Sequence, residues 1–352
     1  MSAESYSFDQ GNRTGLNARS EAKSAPVAAP DWRAELRDAV RDPAELAALL
    51  ELPPEALAGI AAAPDGFALL VPRSFVARMR KRDPDDPLLR QVLPLAAEAI
   101  AAAGFGPDPL AEQRLARHGG IRKYPGRALL IATGACPVHC RYCFRREFPY
   151  AAQTAARGSF GPALEAIRTA PGVTEVILSG GDPLSLGNGR LGRLIARIEA
   201  LPGVTTLRIH TRFPVVLPVR VDRGLVRLLE TTRLRTVVVL HANHPAEIDD
   251  PVAAAAAKLK ACTDLLLNQS VLLRGVNDDA DTLIALSERL SACGIAPYYL
   301  HQLDRVSGAA HFEVDDETAV ALLESMRRRA AGYLVPRLVR DRPGELSKTP
   351  IG

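Results

Sequence analysis

The stretch ALLIATGACPVHCRYC, residues 128–143, joins a short aliphatic run to three closely spaced cysteines. The run at its start is apolar on both faces and predicts a strand buried in a parallel sheet. Cys136, Cys140 and Cys143 follow directly, separated by three and then two residues. Three thiolates in one loop suit three irons of a [4Fe–4S] cube and leave the fourth iron without a protein ligand. The spacing therefore predicts a cluster loop at the carboxyl end of the first strand, with one iron open to a cofactor.

Two other interpretations of these cysteines remain open, namely a zinc site and cysteines buried by packing alone. Zinc would need a fourth ligand, usually supplied by paired Cys-x2-Cys motifs. The remaining cysteines, Cys262 and Cys293, lie singly on helical patterns further along the chain. The crowding of three thiols into one short loop favours the cluster over both alternatives.

Further aliphatic runs recur after the cysteine loop, with amphipathic segments between them. The runs predict parallel strands that are buried on both faces, and the amphipathic segments predict the helices between them. The alternation repeats about six times, short of the eight units of a closed barrel. The predicted fold class is therefore α/β, a partial (β/α)6 barrel with an N-terminal helical extension, and functional residues are expected at the carboxyl ends of its strands. The six predicted strands span 128–133, 175–180, 206–211, 236–241, 265–273 and 297–303.

Changes of pattern along the chain predict its domain organisation. Residues 1–30 are rich in Ser, Ala, Asn and Gly without periodicity, and we expect a disordered arm there. Residues 31–118 show short helical patterns broken at prolines, which predict an N-terminal helical cap. The barrel is expected over residues 119–335, its last helix ending at Gly332 as a glycine cap. Residues 336–352 form a separate C-terminal segment.

Composition and charge exclude several classes of protein. The 352 residues are 47% hydrophobic and 24% charged, which is ordinary for a globular protein with a sizeable core. A net charge of +4 without clustering does not indicate a nucleic-acid-binding protein. No stretch is long and apolar enough to predict a membrane span, and the N-terminus does not resemble a secretory signal. Five cysteines are too few for a disulfide scaffold, so we expect a reducing, cytoplasmic location.

A glycine-rich motif, Ser179-Gly180-Gly181-Asp182-Pro183, marks the end of the second predicted strand. Together with the cysteine loop one strand earlier, it resembles the radical S-adenosylmethionine superfamily. The resemblance implies that S-adenosylmethionine binds the open iron and is cleaved to a 5′-deoxyadenosyl radical. It also implies that Ser179, Gly180, Gly181 and Asp182 lie against this cofactor, where glycines allow close approach of the backbone.

A longer set of motifs, from about Trp32 to the end of the chain, resembles the lysine 2,3-aminomutase family. In that family a lysine near the C-terminus forms a Schiff base with pyridoxal 5′-phosphate, and Lys348 stands at the matching position. The resemblance also assigns Lys123 and Arg127 to the phosphate of this cofactor, although the family commonly has arginine where this chain has Lys123. The motifs are KYPGR, CRYCFRR, SGGDPL, HTRFPVVLP, NQSVLLRGVND, YYLHQLD and GAAHF.

The same resemblance implies three substrate-binding side chains. Arg145 matches the arginine that binds the carboxylate of lysine, and a guanidinium fork suits a carboxylate. Asp304 and Asp341 match two acids around the ε-ammonium group, and two carboxylates around one cation select a long cationic side chain. The implied reaction moves the α-amino group of free L-lysine to the β-carbon, giving (R)-β-lysine, and needs an external electron donor.

Departures from the family pattern indicate a branch within it. Members that degrade lysine carry a glycine run before the pyridoxal lysine and a zinc-binding tail that contains cysteines. Here Gly344-Glu-Leu-Ser precedes the lysine, and no cysteine follows Cys293. These features resemble the branch whose product is attached to elongation factor P by a separate ligase. Elongation factor P and that ligase are therefore expected as functional partners, with no nucleic-acid or membrane partner.

Two alternative functions stay open at the level of sequence. One is a lysine 2,3-aminomutase of catabolism or secondary metabolism. The other, from a different class, is a non-catalytic iron–sulfur or zinc-binding protein. Four histidines near strand ends are assigned to packing rather than chemistry, and these are His210, His241, His244 and His301.

Overall fold

The computed structural model describes residues 31–57, 59, 67–116, 119–122, 124–153 and 160–352. Residues from Asp31 to Gly352 form one compact unit. The arm predicted over residues 1–30 lies outside the described residues, and so does Lys123. The domain boundaries drawn from the sequence stay a prediction.

A single nine-stranded sheet forms the framework of the protein. In chain order its strands are β1 (Gly120–Ile121), β2 (Arg127–Thr133), β3 (Glu175–Gly180), β4 (Thr206–Thr211), β5 (Arg235–Leu240), β6 (Leu265–Val271), β7 (Ala296–His301), β8 (Arg337–Arg340) and β9 (Thr349–Pro350). Strands β2 to β8 are all parallel to their neighbours, whereas β1 on β2 and β9 on β8 are antiparallel. Within the described residues the sheet ends at β1 on one side and β9 on the other, so the barrel is open.

Helices alternate with the parallel strands. In chain order they are α1 (Trp32–Arg37), α2 (Pro43–Leu49), α3 (Pro54–Leu57), α4 (Arg73–Val76), α5 (Pro87–Arg90), α6 (Glu112–Leu115), α7 (Tyr150–Gln153), α8 (Gly161–Arg168), α9 (Asn188–Glu199), α10 (Phe213–Val216), α11 (Arg223–Thr231), α12 (Asp250–Cys262), α13 (Ala280–Ala292) and α14 (Asp316–Arg329). Strands β2 to β7 are each followed by a long helix, so the predicted six-unit α/β barrel is confirmed. Across the described ranges, we find no helix with the length and apolar character that a membrane crossing requires.

Side-chain burial explains why these segments adopt their structures. Five of the six residues of β5 are buried, because both faces of a parallel barrel strand are covered, the outer one by helices and the inner one by the barrel interior. Helix α9 buries Leu191, Leu194, Ile195 and Ile198, whose spacing places them on one face of the helix. Each such side chain contributes about 1.5–3 kcal/mol when fully removed from water. Helix α11 begins where the Asp222 carboxylate accepts a hydrogen bond from a first-turn amide.

The N-terminal segment consists of short helices that share a core with the barrel. Asp31, Asp42 and Asp86 each begin a helix by accepting hydrogen bonds from backbone amides. Trp32 packs edge-on against Phe213, with the ring centroids 5.5 Å apart. Both rings belong to a hydrophobic cluster that continues through the barrel, so the extension is part of the same folded body.

Some details of the fold differ from the sequence-based prediction. Helix α14 ends at Arg329 rather than at Gly332, because Ala330 already has an extended backbone with φ −114° and ψ 157°. Gly332 instead begins a short 3-10 turn. Strands β1, β8 and β9 were not predicted, and β8 adds a seventh parallel strand to the barrel.

Candidate active site

A cavity of about 670 Å³ is lined by the parallel strands and by the loops at their carboxyl ends. It brings together every site residue predicted from the sequence except Lys123, which is not among the described residues. These lining residues are Arg127, Cys136, Cys140, Cys143, Arg145, Ser179, Gly180, Gly181, Asp182, Asp304, Asp341 and Lys348. The fold thus gathers chemical groups from distant parts of the chain into one space.

The cysteine loop is attached to the N-terminal segment by a buried ion-pair cluster. The Glu98 carboxylate accepts hydrogen bonds from Arg141 Nε and Nη2 at 2.8 and 2.6 Å, and from Arg146 Nη2 at 2.7 Å. The Arg141 backbone amide also donates to the Gln91 carbonyl at 2.9 Å. The Arg141 side chain is fully buried, so neither charge of this pair could be removed without a large desolvation cost to the other.

The three cysteines of the loop can supply the thiolate donors of an iron–sulfur cluster. Burial raises the pKa of Cys136 well above its usual range, and burial also raises the pKa of Cys143 to about 11. A bound positive group would offset this penalty by stabilising the thiolates. Over the described ranges, no three His, Cys, Asp or Glu side chains converge on a place for one ion. A cube is larger than an ion, so cysteines that do not converge can each bind a different iron.

The two glycines of the SGGDP motif pack against the backbone that leads into the cysteine loop. Gly180 has φ +125°, and a Cβ atom there would collide with the Thr133 carbonyl oxygen. A Cβ atom on Gly181 would collide with the Ala135 carbonyl. The amides of Gly181 and Asp182 donate to the Thr133 and Ala135 carbonyls, each at 2.8 Å. The glycines are therefore needed for close approach of two backbones, as well as for any approach to a cofactor.

The Asp182 carboxylate joins the ends of β3 and β4. It accepts hydrogen bonds from the Thr211 hydroxyl at 2.8 Å, the Arg212 amide at 2.7 Å and the Leu184 amide at 3.0 Å. Burial raises the pKa of Asp182 to about 6, although these hydrogen bonds oppose the shift. Because both oxygens already have donors, this carboxylate positions the loop, and its direct contact with a cofactor stays a prediction.

Arg145 lies in the cavity wall with its guanidinium forked on Glu112. Nε and Nη2 donate to the two Glu112 oxygens at 2.7 and 3.1 Å, and Nη1 donates to Ser179 Oγ at 2.8 Å. Burial alone would lower the pKa of Arg145, but the Glu112 carboxylate outweighs it and raises the pKa. Sequence reasoning missed Glu112, which lies in α6. Any substrate carboxylate must therefore share this cation with Glu112.

Lys348 and Asp341 lie side by side in the same cavity. Lys348 Nζ is 2.9 Å from Asp341 Oδ2, and the Tyr124 hydroxyl donates to Asp341 Oδ1 at 2.6 Å. Burial raises the pKa of Tyr124 and the bond to Asp341 raises it further, so the phenol remains a donor. Asp341 directly follows β8 and Lys348 directly precedes β9, so the pairing of these two strands brings the residues together. Asp304 lies beyond β7 in the same lining.

A group of arginines that the sequence did not predict as a set lines the cavity near the amino ends of the strands. Arg127 begins β2, and Arg208 and Arg337 join it in the lining. Glu175 accepts hydrogen bonds from Arg208 at 2.9 and 2.6 Å and lies 3.5 Å from Arg127. Arg127 and Arg208 together outnumber the single charge of Glu175, and the net positive charge suits a phosphate. Arg127 lies at the amino end of β2, whereas the cysteine loop follows the carboxyl end of that strand, and the role predicted for Arg127 stays a prediction.

Three of the four histidines noted in the sequence line the cavity. Burial lowers the pKa of His241 to about 3, and it lowers the pKa values of His210 and His301 well below their usual range. These rings are therefore neutral at pH 7. His244 instead caps a 3-10 turn by accepting the Ala246 amide at 3.1 Å.

An open α/β barrel whose cavity gathers thiols, cations and acids has the architecture of an enzyme that depends on cofactors. The chain is 48% identical to L-lysine 2,3-aminomutase of Escherichia coli (strain K12) over 323 residues, which cover 91% of this chain and 94% of the relative. It is 45% identical to the protein of the same name from Haemophilus influenzae, over 91% of this chain and 95% of the relative. It is 34% identical to the protein of that name from Clostridium subterminale, over 91% of this chain and 77% of the relative. The chain belongs to the lysine 2,3-aminomutase family, a family of isomerases, as its motifs predicted.

No protein-family model matches the chain. A radical SAM methyltransferase from Sphaerobacter thermophilus is similar in structure, with a TM-score of 0.43 and 20% sequence identity, over 63% of this chain and 68% of that chain. Lysine 2,3-aminomutases are radical S-adenosylmethionine enzymes that use a [4Fe–4S] cluster and pyridoxal 5′-phosphate, so the predicted cofactors are those of the family.

Proposed function

We propose that this protein converts L-lysine to (R)-β-lysine by moving the α-amino group to the β-carbon. The observation that carries this proposal is the single cavity that holds both the cysteine loop and the Lys348–Asp341 pair. Relatives named L-lysine 2,3-aminomutase support the same reaction and substrate.

The reaction needs bound groups, because no side chain can remove a hydrogen from an unactivated carbon. Cys136, Cys140 and Cys143 would hold the [4Fe–4S] cluster, with the Ser179–Gly181 segment beside S-adenosylmethionine. Lys348 would attach pyridoxal 5′-phosphate covalently, and Arg127 would lie near its phosphate. When bound, these groups supply a carbon-centred radical and a conjugated ring that can delocalise an unpaired electron.

The protein's own part is to bind the two ends of lysine. Arg145 offers a cation to the α-carboxylate, while Asp304 and Asp341 offer anions to the ε-ammonium group. The Lys348 ammonium on Asp341 supports this assignment, because that carboxylate already accepts a cation of the lysine type. An acidic or short substrate would bring no cation to these acids, and such mismatches reduce its binding.

The cavity wall also has to hold the reactants still and exclude water. Ile121, Val138 and Leu303 line it and are 1%, 3% and 5% exposed. The neutral rings of His210 and His301 add polar surface without a competing charge. This combination supports a dry space in which only the paired charges at either end orient the substrate.

We further propose that the product serves the modification of elongation factor P. The Gly344-Glu-Leu-Ser segment in place of a glycine run supports this branch. So do the identities of 48% and 45% to the first two relatives, against 34% to the Clostridium protein. The elongation factor and its ligase would act on the released amino acid, and an external one-electron donor would serve the cluster. Five unpaired cysteines support a reducing, cytoplasmic compartment.

Anaerobic incubation with L-lysine, S-adenosylmethionine, pyridoxal 5′-phosphate and a one-electron reductant, followed by chiral analysis, tests the reaction. (R)-β-Lysine is the expected product. Cluster-loaded protein that cleaves S-adenosylmethionine but forms no β-lysine would overturn the proposal, and iron-free protein would favour a zinc-binding protein instead. Adding elongation factor P and its ligase tests the branch, because hydrolysis of the modified factor and chiral analysis should recover (R)-β-lysine attached to it.

A further inference from the structure

Arg212 is a buried cation that contacts a cysteine of the proposed cluster loop. Its side chain is 6% exposed, and Nη1 lies 2.6 Å from Cys140 Sγ and 2.7 Å from the Tyr142 hydroxyl oxygen. Of the charged side chains in the described residues, Arg212 alone has a hydrogen bond to a sulfur of this loop.

Glu247 is the counter-charge of Arg212 and is fully buried. Its Oε2 atom lies 3.1 Å from Arg212 Nη2, which also donates to Gln91 Oε1 at 2.7 Å. Glu247 Oε1 accepts hydrogen bonds from the Asn243 amide at 2.8 Å and from Gln91 Nε2 at 3.1 Å. These bonds hold a positive and a negative charge at fixed positions behind the sulfur of Cys140.

The other arginines near the loop have a different arrangement. Arg141 forks on Glu98, and Arg145 forks on Glu112. Each of these guanidinium groups directs its Nε and Nη2 atoms at one carboxylate, and its Nη1 atom donates to an uncharged oxygen, the Phe67 carbonyl or the Ser179 hydroxyl. Arg212 divides its two terminal nitrogens between the sulfur and the acid, so it can act on the loop electrostatically.

We propose that the Arg212–Glu247 pair sets the reduction potential of the cluster bound through Cys140, with Arg212 raising the potential and Glu247 moderating that effect. The inference rests on the cluster of the proposed function. Reduction transfers one electron from an external one-electron donor to the cluster, and no covalent bond is made or broken. A fixed cation beside a ligand sulfur stabilises the added negative charge, and hydrogen bonds to cluster sulfurs tune the potential through the same charge.

The test is a redox titration of the reconstituted protein in the absence of lysine and pyridoxal 5′-phosphate. Electron paramagnetic resonance measures the reduced cluster at each potential. Arg212→Gln is expected to lower the reduced-to-oxidised ratio about tenfold at a fixed potential, equivalent to a shift of about 59 mV for one electron. Glu247→Gln is expected to shift the ratio in the opposite direction, and Arg212→Lys to shift it less than Arg212→Gln. Arg220→Gln is the matched control, because Arg220 is fully buried but hydrogen-bonds backbone carbonyls instead of a sulfur.

Opposite shifts distinguish tuning from a structural role, since misfolding would change both variants in the same way. Shifts of the same sign, ratios within threefold of wild type, or loss of iron from both variants would overturn the inference. If only the Arg212→Gln variant fails to bind iron, the Glu247→Gln variant tests the inference instead. A higher reduced-to-oxidised ratio than wild type would support it, and a lower ratio would overturn it. A wild-type protein without a cluster would overturn the proposed function as well, whereas a loaded protein with an insensitive potential would overturn only this inference.

Discussion

Lys348 Nζ lies 2.9 Å from Asp341 Oδ2, so a lysine of the protein itself is paired with the carboxylate proposed to bind the ammonium group of the substrate. The Tyr124 hydroxyl fixes the other oxygen of that carboxylate at 2.6 Å. In the proposed function, two cations of the same chemical type would compete for one acid. Attachment of a cofactor to Lys348 would change the pairing of this amine with Asp341 when the substrate binds.

Asp304→Asn and Asp341→Asn should each weaken the use of lysine far more than they affect iron content. Loss of one charge-assisted hydrogen bond costs about 1.5–3 kcal/mol, which is roughly a tenfold to hundredfold fall in kcat/KM. Steady-state kinetics with varied lysine, beside iron analysis, measure the effect. Asp281→Asn, which changes an exposed acid paired with Arg329, is the control. An unchanged KM for lysine in both cavity variants would contradict the assignment.

Lys348→Ala should abolish aminomutase activity while the protein keeps its iron and still cleaves S-adenosylmethionine. The reason is that the cysteine loop is held by Glu98 and its arginines, which do not contact Lys348. Chiral product analysis and detection of 5′-deoxyadenosine measure the two halves separately. Lys81→Ala removes an exposed lysine paired with Glu51 and should behave as wild type. Wild-type output of β-lysine from Lys348→Ala would refute the role of this residue.

Gly181→Ala should destabilise the protein and reduce iron retention. The added methyl group would collide with the Ala135 carbonyl, and such overpacking typically costs about 1–3 kcal/mol. Urea unfolding and iron content after reconstitution measure both effects. Gly189→Ala is the matched control, since a Cβ atom there meets only the end of the Arg193 side chain at 3.8 Å within α9. That control should be neutral or slightly stabilising, so equal losses in the two variants would count against the steric argument.

Glu98→Gln should lower the free energy of unfolding of the iron-free protein by roughly 3 kcal/mol. The change leaves the buried guanidinium groups of Arg141 and Arg146 without their shared anion, and breaking a buried pair costs about 3–5 kcal/mol. Denaturant titration provides the value. Glu51→Gln removes an exposed partner of Arg82, and that loss should be at most about 1 kcal/mol. Similar losses at the two sites would show that Glu98 does not anchor the loop.

Acid should destabilise the iron-free protein in a window set by its buried histidines. The pKa of His241 is about 3 in the folded protein, against about 6.5 in an unfolded chain. Between these values the unfolded chain binds a proton that the folded protein refuses, so stability falls as pH falls through the window. For each such ring, the free energy of unfolding falls by at most about 1.4 kcal/mol per pH unit. His210 and His301 act in the same direction, because burial lowers their pKa values too.

Urea unfolding at about pH 7 and pH 5 measures this dependence. The His241→Gln variant should lose less stability over that interval than wild type, because one of the rings is gone. An identical pH dependence in the two proteins would contradict the folded-state pKa.

The barrel could be predicted because the inner strands are short runs rich in aliphatic, β-branched or aromatic residues, separated by amphipathic segments. The strand predicted over 236–241 is observed as Arg235–Leu240, for example. Short edge strands give no such pattern, since the two residues of β9 are a strand only through their pairing with β8. Gly332 was a misleading signal, because the backbone left the helix at Ala330 before the glycine was reached.

The residues of the site also fall into two groups, those that the sequence marks and those that only the fold brings together. The cysteines are marked by their spacing and Lys348 by its resemblance to a family position, so the sequence could predict that they share one site. Glu98, Glu112 and Glu247 are ordinary acids until the fold brings them to their arginines, and Glu247 meets Gln91 across 156 residues. Contacts of that range have no local signal, which explains why the supporting charges had to be found in the structure.

Strand β9 consists of Thr349 and Pro350, yet its pairing with β8 sets the position of Lys348. Protease clipping of this short element would free the reactive amine while leaving the thiol end of the barrel intact. In the proposed function, a clipped molecule would keep its thiols in place and lose the fixed position of this amine, so clipping alone would account for a missing product. Intact mass should therefore be verified before any preparation is judged inactive.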